Sequence, residues 1–131
     1  MINTLQQYVD TFEALGDPNA IYEYVLDFGS KSDFDLTEKI EDNFVYGCQS
    51  DVWVVGYENA LGWQFDIHSD AFLVNGIGNI ICNCLSDLNT YEIEKVSWED
   101  LAPLGRYFSQ QRKQGMQAIL NKCKVISKEE K

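Results

Sequence analysis

Apolar residues recur at helical spacing near the N-terminus and predict two consecutive helices. The first apolar stripe consists of Leu5, Tyr8, Val9 and Phe12, and the second consists of Ile21, Tyr24, Val25 and Phe28. Gly16 ends the first stripe, Asp17-Pro18 has the residue types typical of a helix N-terminus, and Gly29 ends the second stripe. Because so few residues separate the two segments, we expect a helix hairpin.

Residues 29–43 are polar and acidic, without a helical or strand period, and predict a long surface connection. Its apolar anchors are expected to be Phe34, Leu36 and Ile40.

The chain changes character at residue 44, where β-branched and aromatic residues begin to predict three short strands. The first covers 44–46, the second lies within 51–57 and the third covers 63–68. The third alternates apolar and polar residues at every step, which is typical of a sheet with one buried face. We therefore expect a small antiparallel sheet of three strands.

The rest of the chain predicts helices that pack against this sheet. The pair Ser69-Asp70 is a candidate cap for a helix with a broad apolar face, and Ser109 is a candidate cap for the last helix. Between them we expect a short helix over 90–96 and a connection over 98–105 that Pro103 breaks. The two apolar faces are Leu73, Ile77, Ile80, Ile81 and Cys84, and Met116, Ile119, Leu120 and Cys123.

This order of elements predicts an α+β fold in which an N-terminal helix hairpin precedes a small three-stranded sheet packed against helices. The 131 residues, 45% hydrophobic and 24% charged, are typical of a single domain, here 1–131. The net charge of −11 repels a phosphate backbone, so no nucleic-acid partner is expected. Residues 1–47 and 48–105 each sum to −8, whereas 106–131 sum to +5, so an acidic face or the basic end is expected to orient a protein partner.

The N-terminal residues and the cysteine content predict a cytoplasmic protein with free thiols. The first residues lack the basic start and apolar run of a secretory signal, so the four cysteines are expected to stay reduced. No apolar stretch reaches the roughly 20 residues that span a bilayer, and no membrane partner is expected.

Most enzyme classes lack their usual residues in this sequence. Gly76-x-Gly78 lies within a predicted apolar helix, where helix packing explains the glycines better than phosphate binding. The single histidine, His68, cannot build a histidine-rich metal site, and we expect no metal.

Cys82 and Cys84 point about 200° apart on a helix and cannot chelate one ion. We therefore expect Cys84 in the core, Cys82 partly buried beside it, and Cys123 in the last helix stripe.

Cys48 differs from the other cysteines because it lies in a predicted turn, Gly47-Cys48-Gln49-Ser50, between two strands. Glycine permits an unusual backbone there, and turn amides can stabilise a thiolate. Other candidate groups for lowering the pKa of this thiol are the helix N-terminus near Asp70, His68 and Arg112. On position alone, a reactive thiol and a buried structural cysteine both remain open.

Three segments of the chain, GCQSDVW at 47–53, SDAFLVNG at 69–76 and SQQRKQGM at 109–116, follow one another in the order of a known set of motifs. They resemble the G-C-Q-S-x-V-W, S-D-A-x-x-V-x-G and S-x-x-R-x-x-G-[LM] motifs of the SufE family. That family contains sulfur acceptors for cysteine desulfurases in iron–sulfur cluster assembly. His68 and Asn75 depart from the residues common in the family at these places.

The resemblance implies that the protein receives persulfide sulfur on Cys48 from a SufS-like cysteine desulfurase. It further implies that the protein stimulates that enzyme and relays the sulfur to a SufBCD-like iron–sulfur scaffold. The pyridoxal phosphate belongs to the desulfurase, so we expect no cofactor on this chain, which acts as a relay rather than an enzyme with independent turnover. The implied supporting and partner-binding residues, with His68 added for its place beside Asp70, are Gly47, Gln49, Ser50, His68, Asp70 and Arg112.

Two other functions remain open at this point. The first is a thiol-dependent peroxide or disulfide reductase that uses Cys48, with Cys82 or Cys84 as the resolving thiol. The usual C-x-x-C spacing is absent, which disfavours it. The second is a structural interaction domain in which Cys48 is inert. A homodimer is also left open.

Overall fold

The computed structural model describes residues 3–129, which form six helices and one antiparallel sheet of two strands. Two short 3-10 turns, Leu36–Glu38 and Glu41–Asn43, lie between the second helix and the first strand. The α+β prediction is therefore confirmed. The elements are α1 (Asn3–Leu15), α2 (Pro18–Gly29), β1 (Val52–Asn59), β2 (Gly62–Ser69), α3 (Phe72–Leu85), α4 (Thr90–Lys95), α5 (Trp98–Gly105) and α6 (Gln110–Glu129).

The predicted helix hairpin is present as α1 and α2. Gly16 adopts a positive φ of 68° at the turn, and the Asp17 carboxylate accepts a hydrogen bond from the Asn19 amide at 3.4 Å. Pro18 is the first residue of α2, where its missing N–H costs no helical hydrogen bond. Phe12 packs edge-on against Tyr24, with 5.9 Å between the ring centroids, and so joins the two helices.

The sheet places its apolar face against α3 and α6. Val54 lies opposite Ile67, and both are fully buried. A Cβ atom on Gly78 of α3 would contact Ile67, and a Cβ atom on Gly56 of β1 would lie 2.8 Å from Ile126 of α6. Buried side chains from the strands and helices join in one core, and the sheet and α6 bring the segments around residue 48 and residue 112 close together.

The predicted third strand is wrong. Residues 44–46 form only an isolated bridge between Phe44 and Trp53, with one hydrogen bond from the Val45 amide to the Val52 carbonyl at 2.8 Å. A 3-10 turn ends at Asn43, and Gly47 turns the chain with a φ of 104°. Too few extended residues remain between these turns to continue a ladder.

Two other predictions about local structure are wrong. Residues 98–105 form helix α5 and not a broken connection, because Leu101 and Leu104 are fully buried and the exposed Pro103 removes only one helical hydrogen bond. In the long connection only Phe34 is an anchor, since Leu36 and Ile40 are exposed.

Nothing between residues 3 and 129 forms a helix of the length and apolarity needed to cross a membrane.

Candidate functional site

A cavity of about 110 Å³ lies beside Cys48 and is lined by residues from three separate parts of the chain. The loop before β1, the first turns of α3 and the first half of α6 each contribute part of the wall. The lining residues are Cys48, Gln49 and Ser50, Val74 and Ile77, and Gln111, Arg112, Gly115, Met116 and Ile119. Each of the three sequence motifs therefore supplies part of one cavity.

The loop that carries Cys48 is shaped by Gly47. Its φ of 104° lies in the region that favours glycine, and a Cβ atom there would lie 3.2 Å from the Cβ of Ala118 on α6. The loop consequently runs close to α6, and the half-buried thiol of Cys48 points at that helix. Its S–H donates a weak hydrogen bond to the Gly115 carbonyl at 3.6 Å.

Burial raises the pKa of the Cys48 thiol above its ordinary value. This direction is opposite to the one that the candidate groups named from the sequence would produce, and the contacts of the sulfur explain it. Among residues 3–129, no backbone N–H donates to the Cys48 sulfur, whose hydrogen-bond partner is a carbonyl that favours the protonated thiol. In this position Cys48 is a sheltered thiol, and its reactivity as a thiolate requires contact with water or a cationic group.

The raised pKa predicts the pH dependence of Cys48 alkylation. Because a raised pKa leaves less thiolate at any given pH, we expect iodoacetamide to modify Cys48 more slowly than a free cysteine at neutral pH. The rate should increase as the pH rises through and beyond the ordinary thiol range. Peptide mass mapping of the initial rate at each pH measures this, with a short cysteine peptide as the control. A midpoint below that of the control peptide would contradict the prediction.

Arg112 lines the same cavity as Cys48 because of the way α6 begins. The Ser109 hydroxyl accepts a hydrogen bond from the Arg112 amide at 3.3 Å, which confirms the predicted cap. One helical turn later Gly115 and Met116 form the adjacent wall. The exposed Arg112 side chain is the cationic group that the structure brings to the cavity's lining.

His68 and Asp70 lie outside the lining of the thiol cavity. The His68 ring contacts the Asp70 carboxylate at 3.0 Å, and Lys39 lies 3.7 Å from the same carboxylate oxygen. These two contacts hold the pKa of Asp70 below its usual value.

The predicted cap by Asp70 is wrong, since α3 begins at Phe72 and the N-cap residue is Ala71. The Ser69 hydroxyl instead accepts from the Ala71 amide at 3.2 Å.

The other three cysteines carry free thiols within the core. Cys84 and Cys123 are buried as predicted, but Cys82 is also buried, with 4% of its surface exposed, and not partly exposed as expected. A hydrogen bond with Cys123 and burial raise the pKa of Cys82, and burial raises that of Cys84 to about 12. None of these three lines the thiol cavity.

Several cavity residues were not singled out from the sequence. Val74, Gly115 and Met116 occupy motif positions, so their place in the motifs was a usable signal. Ile77 and Ile119 had been predicted only as core residues. Over residues 3–129, no group of three or more His, Cys, Asp and Glu side chains is arranged to hold a metal ion.

The fold and the cavity define an α+β thiol protein in which one half-buried cysteine faces a small pocket. The SufE family model, described as an Fe-S metabolism associated domain, matches residues 6–126, and the chain belongs to this family. Its membership supports a role in Fe-S metabolism. The resemblance read from the three motifs is therefore confirmed.

Known relatives agree with this assignment. The chain is 27% identical to an uncharacterized SufE-like protein of Rhizobium meliloti, with 94% of both chains covered, and 30% identical to one of Rhizobium etli, with 95% of this chain and 90% of that protein covered. It is 28% identical to SufE-like protein 1, chloroplastic/mitochondrial, of Arabidopsis thaliana over 95% of this chain. That match spans only 34% of the Arabidopsis protein.

The fold also matches a solved structure. The solution structure of a hypothetical protein from Thermus thermophilus superposes with a TM-score of 0.77 and 17% identity, covering 95% of this chain and 93% of the other. At this identity the match establishes the shared fold.

Proposed function

We propose that this chain accepts a persulfide sulfur on Cys48 from a pyridoxal-phosphate-dependent cysteine desulfurase, stimulates that enzyme, and passes the sulfur to an iron–sulfur cluster scaffold. The observation that carries the proposal is the convergence of all three SufE motifs on one cavity beside the Cys48 thiol. The chain's membership of a family associated with Fe-S metabolism supports a role in supplying iron–sulfur cluster assembly.

The transfer requires one nucleophile on this chain. The Cys48 thiolate attacks the outer sulfur of a persulfide on the desulfurase, so a new S–S bond forms at Cys48. The S–S bond in the desulfurase breaks at the same time, and its cysteine leaves as a thiolate. A thiolate of the scaffold later attacks the outer sulfur on Cys48 in the same way. Because the bound pyridoxal phosphate supplies the C–S cleavage chemistry within the desulfurase, this chain needs no cofactor.

The walls of the cavity suit a stored persulfide. Val74, Ile77, Met116 and Ile119 present apolar surface, and the cavity of about 110 Å³ leaves room for one further sulfur atom next to Cys48. Apolar walls limit the access of water and of competing thiols to the outer sulfur. Arg112, an exposed residue of the lining, is the positively charged residue available to stabilise a sulfur anion that forms at the edge of the cavity.

The sheltered position of Cys48 divides the cycle into two states. In the cavity the raised pKa keeps the thiol protonated and unreactive. We propose that the loop of Gly47, Cys48, Gln49 and Ser50 carries the thiol out to the partner, where hydration lowers the pKa toward its ordinary value. The single weak hydrogen bond of the sulfur and the exposure of Gly47 and Gln49 on either side of Cys48 support a loop that leaves its pocket at low cost.

The proposal is tested by loading the protein with sulfur. Wild-type protein is incubated with its cysteine desulfurase and free cysteine, and intact mass spectrometry then measures the mass added. We expect one added sulfur atom, located on Cys48 by peptide mapping, and a faster desulfurase turnover. Sulfur on another residue, or none, would overturn the proposal.

Arg112 is expected to speed the loading step. Replacing it with alanine removes the exposed positive charge beside the loop that carries the thiol out of the cavity, and we expect loading at saturating desulfurase to slow about tenfold. Arg106→Ala is the matched control, since Arg106 is an exposed arginine that pairs with Glu13 at 2.8 Å and does not line the cavity. Rapid quenching followed by mass spectrometry measures both rates. Equal rates in the two variants would exclude this role.

The alternative of a redox enzyme lacks a resolving thiol near Cys48 within residues 3–129. Cys82 and Cys84 lie in the core on α3, and neither lines the cavity. Forming a disulfide with either would require α3 to leave the core. The relay therefore remains the function that the geometry supports best.

A further inference from the structure

We propose that a groove between α2 and α3 docks a protein segment that carries a large apolar side chain flanked by lysine or arginine residues. This α2–α3 groove has a volume of about 480 Å³, and its apolar walls are Leu26, Phe34, Leu36 and Phe72. It is separate from the thiol cavity. Phe72 and Asn75 line the groove, whereas Val74 and Ile77 of the same helix line the thiol cavity.

Two large apolar side chains that line the α2–α3 groove are mostly exposed to solvent. Phe72 has 77% of its surface exposed and Leu36 has 61%, whereas Phe34 is buried and its ring lies 5.6 Å from the His68 ring of β2. Scattered exposed apolar residues are ordinary, but two that line one concave surface mark an interaction site. Covering them removes apolar area from water, which favours binding.

The α2–α3 groove is rigid and already formed. The backbones of α2 and α3 touch at its base, since a Cβ atom on Gly29 would lie 2.7 Å from the Cα of Gly76. The Asn75 side-chain amide donates to the Gly29 carbonyl at 3.0 Å, and the Ser32 hydroxyl donates to the Ile67 carbonyl at 3.2 Å. These contacts fix both walls, so docking does not need to order them.

The polar side chains of the α2–α3 groove already have partners within the protein. The Ser30 hydroxyl donates to the Asp27 carbonyl at 2.7 Å, the Ser69 hydroxyl accepts from Ala71, and His68 contacts Asp70. Small-molecule sites orient their ligands with free polar groups. The groove offers mainly apolar surface, which fits an aliphatic or aromatic side chain of a protein.

Charge around the α2–α3 groove selects the flanking residues of its occupant. Asp33 and Asp35 alternate with the lining residues of the connection and are exposed. The two nearby lysines are already paired, Lys31 with Asp27 at 3.3 Å and Lys39 with Asp70 at 3.7 Å. The acidic rim therefore attracts lysine or arginine. A second copy of this chain, with its net charge of −11, is repelled.

Isothermal titration calorimetry of the full chain with a short amidated peptide of alternating lysine and leucine residues tests the proposal. We expect saturable one-to-one binding that weakens about tenfold in Phe72→Ala. Leu61→Ala is the matched control, since Leu61 is 71% exposed at the hairpin turn and should leave binding unchanged. Asp33→Asn should weaken binding by about threefold, whereas Glu58→Gln, at an exposed site on β1, should not.

Three outcomes would overturn the proposal. The first is equal peptide affinity in wild type and Phe72→Ala, with thermal melting showing that both are folded. The second is equally tight binding of a glutamate–leucine peptide, which would remove the role of charge. The third is a wild-type dimer in sedimentation that Phe72→Ala dissociates, which would assign the groove to a second copy.

Discussion

Replacement of Cys48 by serine is expected to reduce sulfur loading from one atom per chain to none. A serine hydroxyl at neutral pH is not ionised and cannot form a persulfide, so the acceptor step has no nucleophile. Stimulation of the desulfurase should be lost with it, because its persulfide is then not discharged. Intact mass spectrometry and sulfide release measure the two effects on the same samples.

The fold should survive this substitution. Cys48 is half-buried, and its sulfur makes one weak hydrogen bond at 3.6 Å, so the free energy of unfolding should change by less than about 1 kcal/mol. Cys84→Ala is the matched control, because Cys84 is a buried thiol outside the cavity and its loss should leave loading intact. A Cys48→Ser protein that still accepts sulfur would refute the assignment of this thiol.

The sequence predicted that Cys48 is the candidate sulfur acceptor, but it did not predict that the thiol is half-buried against α6. Cys48 was distinguished by its glycine turn and its motif, both local features. Its raised pKa depends on burial against α6, whose Gly115 lies 67 residues further along the chain. A contact at that separation is set by the packing of α6 on the sheet, which no local pattern specifies.

Errors in the local predictions share this cause. Asp70 has the residue type of a cap, but its carboxylate faces Lys39 from the long connection. Pro103 normally ends a helix, yet Leu101 and Leu104 are fully buried and hold α5 together on both sides of it. For Pro103, tertiary contacts outweigh a local preference of about 3 kcal/mol against proline within a helix.

Gly76 shows where a motif residue serves the fold and not the chemistry. The sequence predicted that Gly76 and Gly78 reflect helix packing, and the structure confirms it for Gly76, whereas Gly78 packs against Ile67 of the sheet. A Cβ atom on Gly76 would contact the Val25 carbonyl oxygen and lie 2.6 Å from a Val25 methyl group, and Gly29 approaches from the same helix. The crossing of α2 and α3 therefore depends on the absence of a side chain at residue 76.

Gly76→Ala is accordingly expected to lower the free energy of unfolding by about 3 kcal/mol. The added methyl group meets backbone, which cannot move aside as a flexible side chain can, so α2 has to shift away from α3. Urea unfolding monitored by circular dichroism measures the change. The same shift would open the base of the α2–α3 groove, whose walls these helices form.

Gly115→Ala is the matched control for Gly76→Ala, since it is also a glycine-to-alanine change within a helix. Its Cβ atom would lie 3.5 Å from the Cys48 sulfur, an ordinary contact, so the higher helix propensity of alanine should raise stability by roughly 0.5–1 kcal/mol. If the free energy of unfolding falls in Gly76→Ala but rises in Gly115→Ala, the loss of stability in Gly76→Ala is due to the α2–α3 contact. Equal stability of Gly76→Ala and wild type would mean that the two helices separate without cost, contrary to their close packing at Gly29 and Gly76.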